Sequence, residues 1–238
     1  MIKYLQLPFH FDVKKMQEEL QELDSRAWKL HYQKLHYEGE WTAIPLRSIG
    51  GKPDHIIIAP TDEYPYEDTI FLDECPYIKS ILQTFKCPLQ AVRLLRLNAG
   101  AIIKEHRDAE MNFENGEIRL HIPVITHCEV EFFLDGERIH LKEGECWYMN
   151  FNLLHNINNK SNINRVHLVV DAKVNDWVKE IFSSPAITVK KEIEDLSNTY
   201  DDETKKQMII LFRQMNTPVS NKMADDLELE ISKPLPGI

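Results

Sequence analysis

The chain has 238 residues, 43% of them hydrophobic, enough for one large domain or for a domain of about 150 residues with smaller additions. Its formal charge of −10 at pH 7, with no long basic run, argues against a nucleic-acid backbone or an anionic membrane as partner. There is no signal-peptide pattern and no apolar stretch of roughly 18 residues, and Cys75, Cys87, Cys128 and Cys146 form no Cys-x-x-Cys pair; a cytoplasmic protein with free thiols is the expectation.

From Asp12 to about Tyr32, the residues Met16, Leu20, Leu23, Ala27 and Leu30 recur at steps of four and three, which predicts an amphipathic helix capped by Asp12. The segment 31–52, with Trp41, Ile44, Leu46 and Arg47, reads as a strand closed by a turn at Gly50-Gly51. Three consecutive isoleucines between Pro53 and Pro60 suit a short buried strand over His55–Ala59. A proline-containing loop follows, then helical spacing at Tyr77, Ile78, Ile81, Leu82 and Phe85 that Pro88 ends.

Beyond Pro88 the pattern changes to short strands: Ala91–Asn98, Ala101–Lys104, Ile118–Ile125, Glu129–Leu134, Arg138–Leu141, Cys146–Phe151 and Arg165–Val170. Asp135-Gly136 makes a hairpin turn. Strands at about 8–12-residue spacing without intervening helices predict an antiparallel sandwich or barrel. From Asn175 the pattern is helical again, with Met208, Leu211, Phe212 and Met215 on one stripe. The division expected is a β domain with N-terminal helices over 1–174 and a C-terminal helical segment over 175–238.

His106 and Asp108, two apart near a strand end, project to one side and can chelate a single ion. His155 lies beyond a later strand and can reach the same mouth. Two imidazoles and a carboxylate on one face of a metal leave the opposite positions open, which is what a non-haem Fe(II) oxygenase requires. Arg165 opens the last strand on the face of His167 and Val169. A guanidinium inside a barrel needs a partner, and a dicarboxylic cosubstrate would pair it in fork geometry. Arg119 and His121 share a face of another strand and suit a second carboxylate. For a substrate, Arg47 and Arg93 are candidate carboxylate anchors and Trp41 a candidate pocket wall.

These residues resemble the aspartyl/asparaginyl beta-hydroxylase family, and more closely its bacterial branch acting on free amino acids such as proline. The likeness rests on Asn98-Ala99-Gly100 leading to His106, on Arg119-Leu120-His121-Ile122, on Met149-Asn150-Phe151 before His155, and on the ten-residue step from His155 to Arg165. It implies a double-stranded β-helix, that is, a cupin-like jelly roll. It implies Fe(II) held by His106, Asp108 and His155, 2-oxoglutarate held by Arg165 with Arg119 and His121, and O₂ as oxidant. Protein-modifying members carry a serine where this chain has Leu95, which points to a small-molecule substrate, an amino acid or derivative. Hydroxylation of an Asp or Asn side chain in a protein, a cupin-type metal enzyme without 2-oxoglutarate, and a binding module stay open, as does a homodimer.

Overall fold

The computed structural model describes residues 1–23, 27–58, 64–108, 110–193 and 202–232. Two compact units emerge, Met1–Glu192 and Ile193–Ile238. The sequence expectation divided the chain after residue 174; a helix at Asp176–Phe182 and a strand at Lys190–Glu192 instead fall within the first unit.

The first unit contains fourteen strands among its described residues: β1 Ile2–His10, β2 Lys29–Leu30, β3 Tyr37–Glu38, β4 Trp41–Ile49, β5 Tyr66–Asp68, β6 Leu89–Leu97, β7 Ile102–His106, β8 Glu117–Ile125, β9 Val130–Leu134, β10 Glu137–Ile139, β11 Glu145–Met149, β12 His155–Asn159, β13 Arg165–Lys173 and β14 Lys190–Glu192. They form two antiparallel sheets. The larger runs β14-β1-β11-β8-β13-β6-β4-β2, with β5 on β4, and the smaller runs β10-β9-β12-β7-β3. Two facing sheets with this order make the double-stranded β-helix. Helices α1 Val13–Glu22, α2 Ile70–Asp73, α3 Pro76–Leu82 and α4 Asp176–Phe182 complete the unit, and α5 Asp202–Met215 with α6 Pro218–Ile231 form a hairpin in the second unit, where Arg213 reaches Asp225 and Glu228.

Period-two alternation assigns each face of the large sheet a different neighbour. Val92 and Leu94, Leu120 and Ile122, Val166 and Leu168 pack outward with Met16 of α1, Ile78 and Ile81 of α3 and Phe182 of α4 in one buried cluster. The alternate residues face the space between the sheets, where Leu95, Leu97, Trp147 and Val169 meet Ile103, Phe132, Leu134 and Ile157. The outward set is apolar throughout. The inward set also carries Arg93, Arg119, His121, Arg165, His167 and Asp171, all buried. Such a concentration of charge between two sheets is costly unless the groups are paired or serve a ligand.

Four expectations change. Helix α1 ends at Glu22 with Leu23 extended. Lys29–Leu30 instead hydrogen-bonds as an edge strand against Thr42 and Ala43. No strand forms over 55–58: Pro53 removes a donor, and although Ile56 is buried, Ile57 points to solvent. Ala59 lies outside the described residues. Two strands lie where the sequence reading placed none: β1, which pairs with β11, and His155–Asn159. No helix among the described residues is long and apolar enough to cross a membrane.

Candidate active site

His106 ends β7 and His155 begins β12, and these two strands pair so that the histidines are register partners. Their rings lie 4.2 Å apart. The Asp108 amide donates to the Phe151 carbonyl at 2.9 Å, which fixes the turn after β7 and brings the carboxylate in front of both rings. One ligand atom from each of His106, Asp108 and His155 lies within 4.8 Å of the others.

Both imidazoles are oriented by the backbone. Nδ1 of His106 bonds the Lys104 carbonyl at 2.7 Å, and Nδ1 of His155 the Leu153 carbonyl at 3.0 Å. A carbonyl only accepts, so Nδ1 carries the proton in each ring and Nε2 keeps its lone pair toward the cluster. Burial pushes His155 down to about 4, so it is a neutral ligand at physiological pH. Burial raises the Asp108 carboxyl, but the charge of Arg119 and its hydrogen bond, with His155 and His106, outweigh that and hold it below the usual range. Two imidazoles and one carboxylate, with one side open, fit Fe(II) as a facial donor set.

Arg119 is the support of this carboxylate. Its Nη1 grips Asp108 Oδ2, while Asp108 Oδ1 stands 3.7 Å from His106 Nε2. Its Nε donates to Asp171 Oδ1 at 2.6 Å and its Nη2 to Asp171 Oδ2 at 3.2 Å. Arg93 donates to the same Asp171 Oδ2 at 2.8 Å. The result is a buried chain, Arg93–Asp171–Arg119–Asp108, with two positive and two negative members. Asp171, fully buried, escaped the sequence reading; its signal was its place on the inward face of β13 directly opposite Arg119. Arg119 is therefore committed to protein carboxylates, whereas Arg93 pairs with Asp171 through Nη2 and keeps an Nε without a partner.

Arg165 differs. It is 1% exposed, and no carboxylate pairs with it among the described residues. Its Nη2 meets His167 Nδ1 at 2.8 Å, while its Nε has no partner. Burial pushes the guanidinium down to about 9, still charged at neutral pH. Because guanidinium only donates, His167 Nδ1 is an acceptor. His121 Nδ1, 3.2 Å from the same atom, is then the donor. Nε2 of His121 is left as a lone pair and Nε2 of His167 as an N–H, each without a partner. Burial and the adjacent Arg165 keep both rings neutral. His121 stacks on Phe151 at 5.0 Å.

A small cavity, about 40 Å³, lies between the His-Asp-His cluster and Arg165, walled by Trp41, Leu95, His121 and Phe151. A larger one, about 270 Å³, opens beside Asp108 and Arg119 and is lined by His31, Tyr32, Trp41 and Arg107. Trp41, Leu95, Asp108 and Arg119 line both, and Trp41 stacks on His31 with ring centroids 3.5 Å apart. Burial, then the charges of Arg93 and Arg119, hold His31 at about 3. Sequence reasoning singled out neither His31 nor Arg107, and nothing in their neighbours marks them. Arg47 is not at the site. A register shift between Pro45 and Arg47 breaks the alternation of β4, and Arg47 instead pairs with Asp68 at 2.5 Å and with the Tyr66 carbonyl at 2.5 Å.

The chain is 25% identical over 163 residues to L-proline cis-4-hydroxylase of Rhizobium meliloti, covering 68% of this chain and 57% of that one. It is 26% identical over 164 residues to L-proline cis-3-hydroxylase 2 of a Streptomyces species, covering 66% and 56%. It spans about half the length of the curated relatives it matches. Among solved structures, a 2OG-Fe(II) oxygenase family oxidoreductase from Burkholderia pseudomallei aligns with TM-score 0.47 at 12% identity, over 68% of this chain and 79% of that one. Residues 10–174 match Aspartyl/Asparaginyl beta-hydroxylase, and the chain belongs to that family.

Proposed function

We propose that this chain is an Fe(II)- and 2-oxoglutarate-dependent dioxygenase that hydroxylates a C–H bond of a small molecule, an amino acid or derivative. The observation that carries the reading is Arg165: a buried, charged guanidinium with no carboxylate partner among the described residues, one small cavity away from a facial His-Asp-His cluster. Burying such a charge is tolerable when a ligand carboxylate completes it.

Iron, when bound, would let O₂ act as the oxidant, with two electrons taken from 2-oxoglutarate and two from the substrate C–H bond, so that one oxygen atom ends in the new hydroxyl and the other in succinate, with CO₂ released. The protein's residues do the rest by holding and excluding. His106, Asp108 and His155 hold the metal, and Arg119 fixes which carboxylate oxygen faces it. Arg165 takes the far carboxylate of the cosubstrate, with His121 and Phe151 walling its path. Trp41 and His31 close the substrate side against water and place the reacting C–H bond near the metal's open face. Arg107 donates to the Asn152 carbonyl at 3.0 Å and pairs with no carboxylate among the described residues, so it is the free cation at the larger cavity for an amino-acid carboxylate. Glu110 and Glu117 line the same cavity and suit the ammonium end. The two proline hydroxylases among the relatives support an amino acid as the substrate class.

An anaerobic titration of Fe(II) and 2-oxoglutarate tests this. A visible metal-to-ligand charge-transfer band is expected in the wild type and is absent in His155→Ala. No band in folded wild-type protein would sink the reading, and turnover that survives Arg165→Ala would favour a metal enzyme that does not use 2-oxoglutarate. Succinate release, screened across free amino acids, then identifies the substrate.

A further inference from the structure

We propose that the cavity at the far end of the barrel is a second anion site, which takes a small carboxylate on the side of Arg165 turned away from the metal. This cavity, about 390 Å³, is lined by Phe132, Ile139, His140, Lys142, Arg165 and His167. Its size falls within the range of about 300–1,000 Å³ typical of small-molecule pockets, and its character is similar: apolar walls with a few convergent polar groups. Arg165 also lines the small cavity beside the metal cluster, so its guanidinium stands in the wall between the two.

Two buried residues of the lining have hydrogen-bonding capacity unspent. Arg165 Nε has no partner, and neither has His167 Nε2, which the bond from Arg165 to Nδ1 leaves as a donor. Each residue is only 1% exposed. Buried donors without acceptors cost free energy, and a carboxylate would satisfy both. Lys142 at the mouth adds an ammonium with no ion pair among the described residues. The acid in the lining, Glu143, is already engaged by the Thr126 amide at 3.0 Å. The site therefore selects an anion, and the apolar walls favour a carboxylate with a short carbon skeleton over a strongly hydrated inorganic ion.

One guanidinium facing two anions couples them unfavourably. A carboxylate in the far cavity then weakens 2-oxoglutarate binding severalfold, a form of inhibition by small dicarboxylates. The far site stands on its own lining; only this coupling rests on the function proposed above.

Cys128 lines the far cavity and is exposed, whereas Cys75 and Cys146 are buried. Burial pushes the Cys87 thiol up to about 11. Cys128 is thus the reporter. The full chain, stripped of metal by a chelator, is alkylated with iodoacetamide with and without succinate, and each cysteine is followed by mass spectrometry. Succinate is expected to slow Cys128 labelling at least threefold. Lys142→Glu should abolish the protection and Lys142→Gln weaken it, with melting temperatures confirming that both variants are folded. No slowing in wild-type protein, or equal slowing in Lys142→Glu, overturns the proposal. Protection of Cys128 in a protein that shows no charge-transfer band would leave the far site standing and the oxygenase reading refuted.

Discussion

Arg119 and Arg165 lie on neighbouring strands of one sheet, both turned into the barrel and both buried, yet they occupy opposite electrostatic situations. Arg119 is held by Asp171 and Asp108, and these charges, outweighing the burial that would lower it, raise it above the ordinary range. Arg165 has burial alone, which lowers it. The contrast teaches how to tell a supporting arginine from a binding one. A guanidinium whose donors are spent on protein carboxylates stiffens the structure, whereas one kept short of partners is an unfilled position for a ligand.

The largest test of that contrast is stability. Arg119→Met leaves Asp108 without its counter-ion and Asp171 with Arg93 alone, and a loss of about 3–5 kcal/mol is expected in chemical denaturation, with weaker Fe(II) binding as Asp108 loses its brace. Comparable stability of Arg119→Met and wild type would erase the distinction. Arg165→Met should keep wild-type stability to within about 1 kcal/mol, since it removes a buried charge that no carboxylate pairs among the described residues. Its cost should fall on 2-oxoglutarate, with affinity lower by about 100-fold, or about 2.7 kcal/mol, in anaerobic spectral titration.

A pH series sharpens the comparison, because burial and the arginines together keep their histidine neighbours neutral. Unfolded histidines take up protons near 6.5, whereas folded His155 does so at about 4 and His31 at about 3. Between these values the unfolded state binds more protons, so stability of the metal-free protein falls as pH falls. The slope approaches about 1.4 kcal/mol per pH unit for each such histidine between about pH 6 and 4. A flat stability profile across that window would contradict the burial of these rings. The smallest effect is expected at Arg47, whose pairing with Asp68 is partly exposed. Arg47→Ala should change stability by no more than about 1 kcal/mol and leave turnover unaltered. A large rise in KM would place this residue at the substrate after all.

What the sequence made legible was what alternation carries. Arg119 and His121, Arg165 and His167 fall on the inward faces, while Leu120, Val166 and Leu168 pack outward under the helices. The clustering of His106, Asp108 and His155 followed from residue type, spacing and a family likeness. Contacts between strands distant in the chain were not legible. Asp171 reads as the end of an apolar strand until its register with Arg119 is known. His155 opens a strand written His-Asn-Ile-Asn-Asn, which looks like a loop. The side chain of Asn159, fully buried, donates to the carbonyls of Leu97, Asn98 and Ile163, so the polarity serves the backbone and not solvent. Arg47 misled for the converse reason, since a local register shift cannot be seen in residue identities.

The cross-strand pair Arg119 and Asp171 also acts as a register key for folding. In a β-sheet a slip of one residue turns every side chain to the other face. If β13 slid by one position against β8, Asp171 would enter the apolar layer beneath the helices, and Arg119 would be left facing Asp108 without its second anchor. A misregistered barrel would therefore lose a salt bridge, bury a bare carboxylate and disorder a metal ligand together. Correct strand alignment and the placement of Asp108 thus depend on one contact.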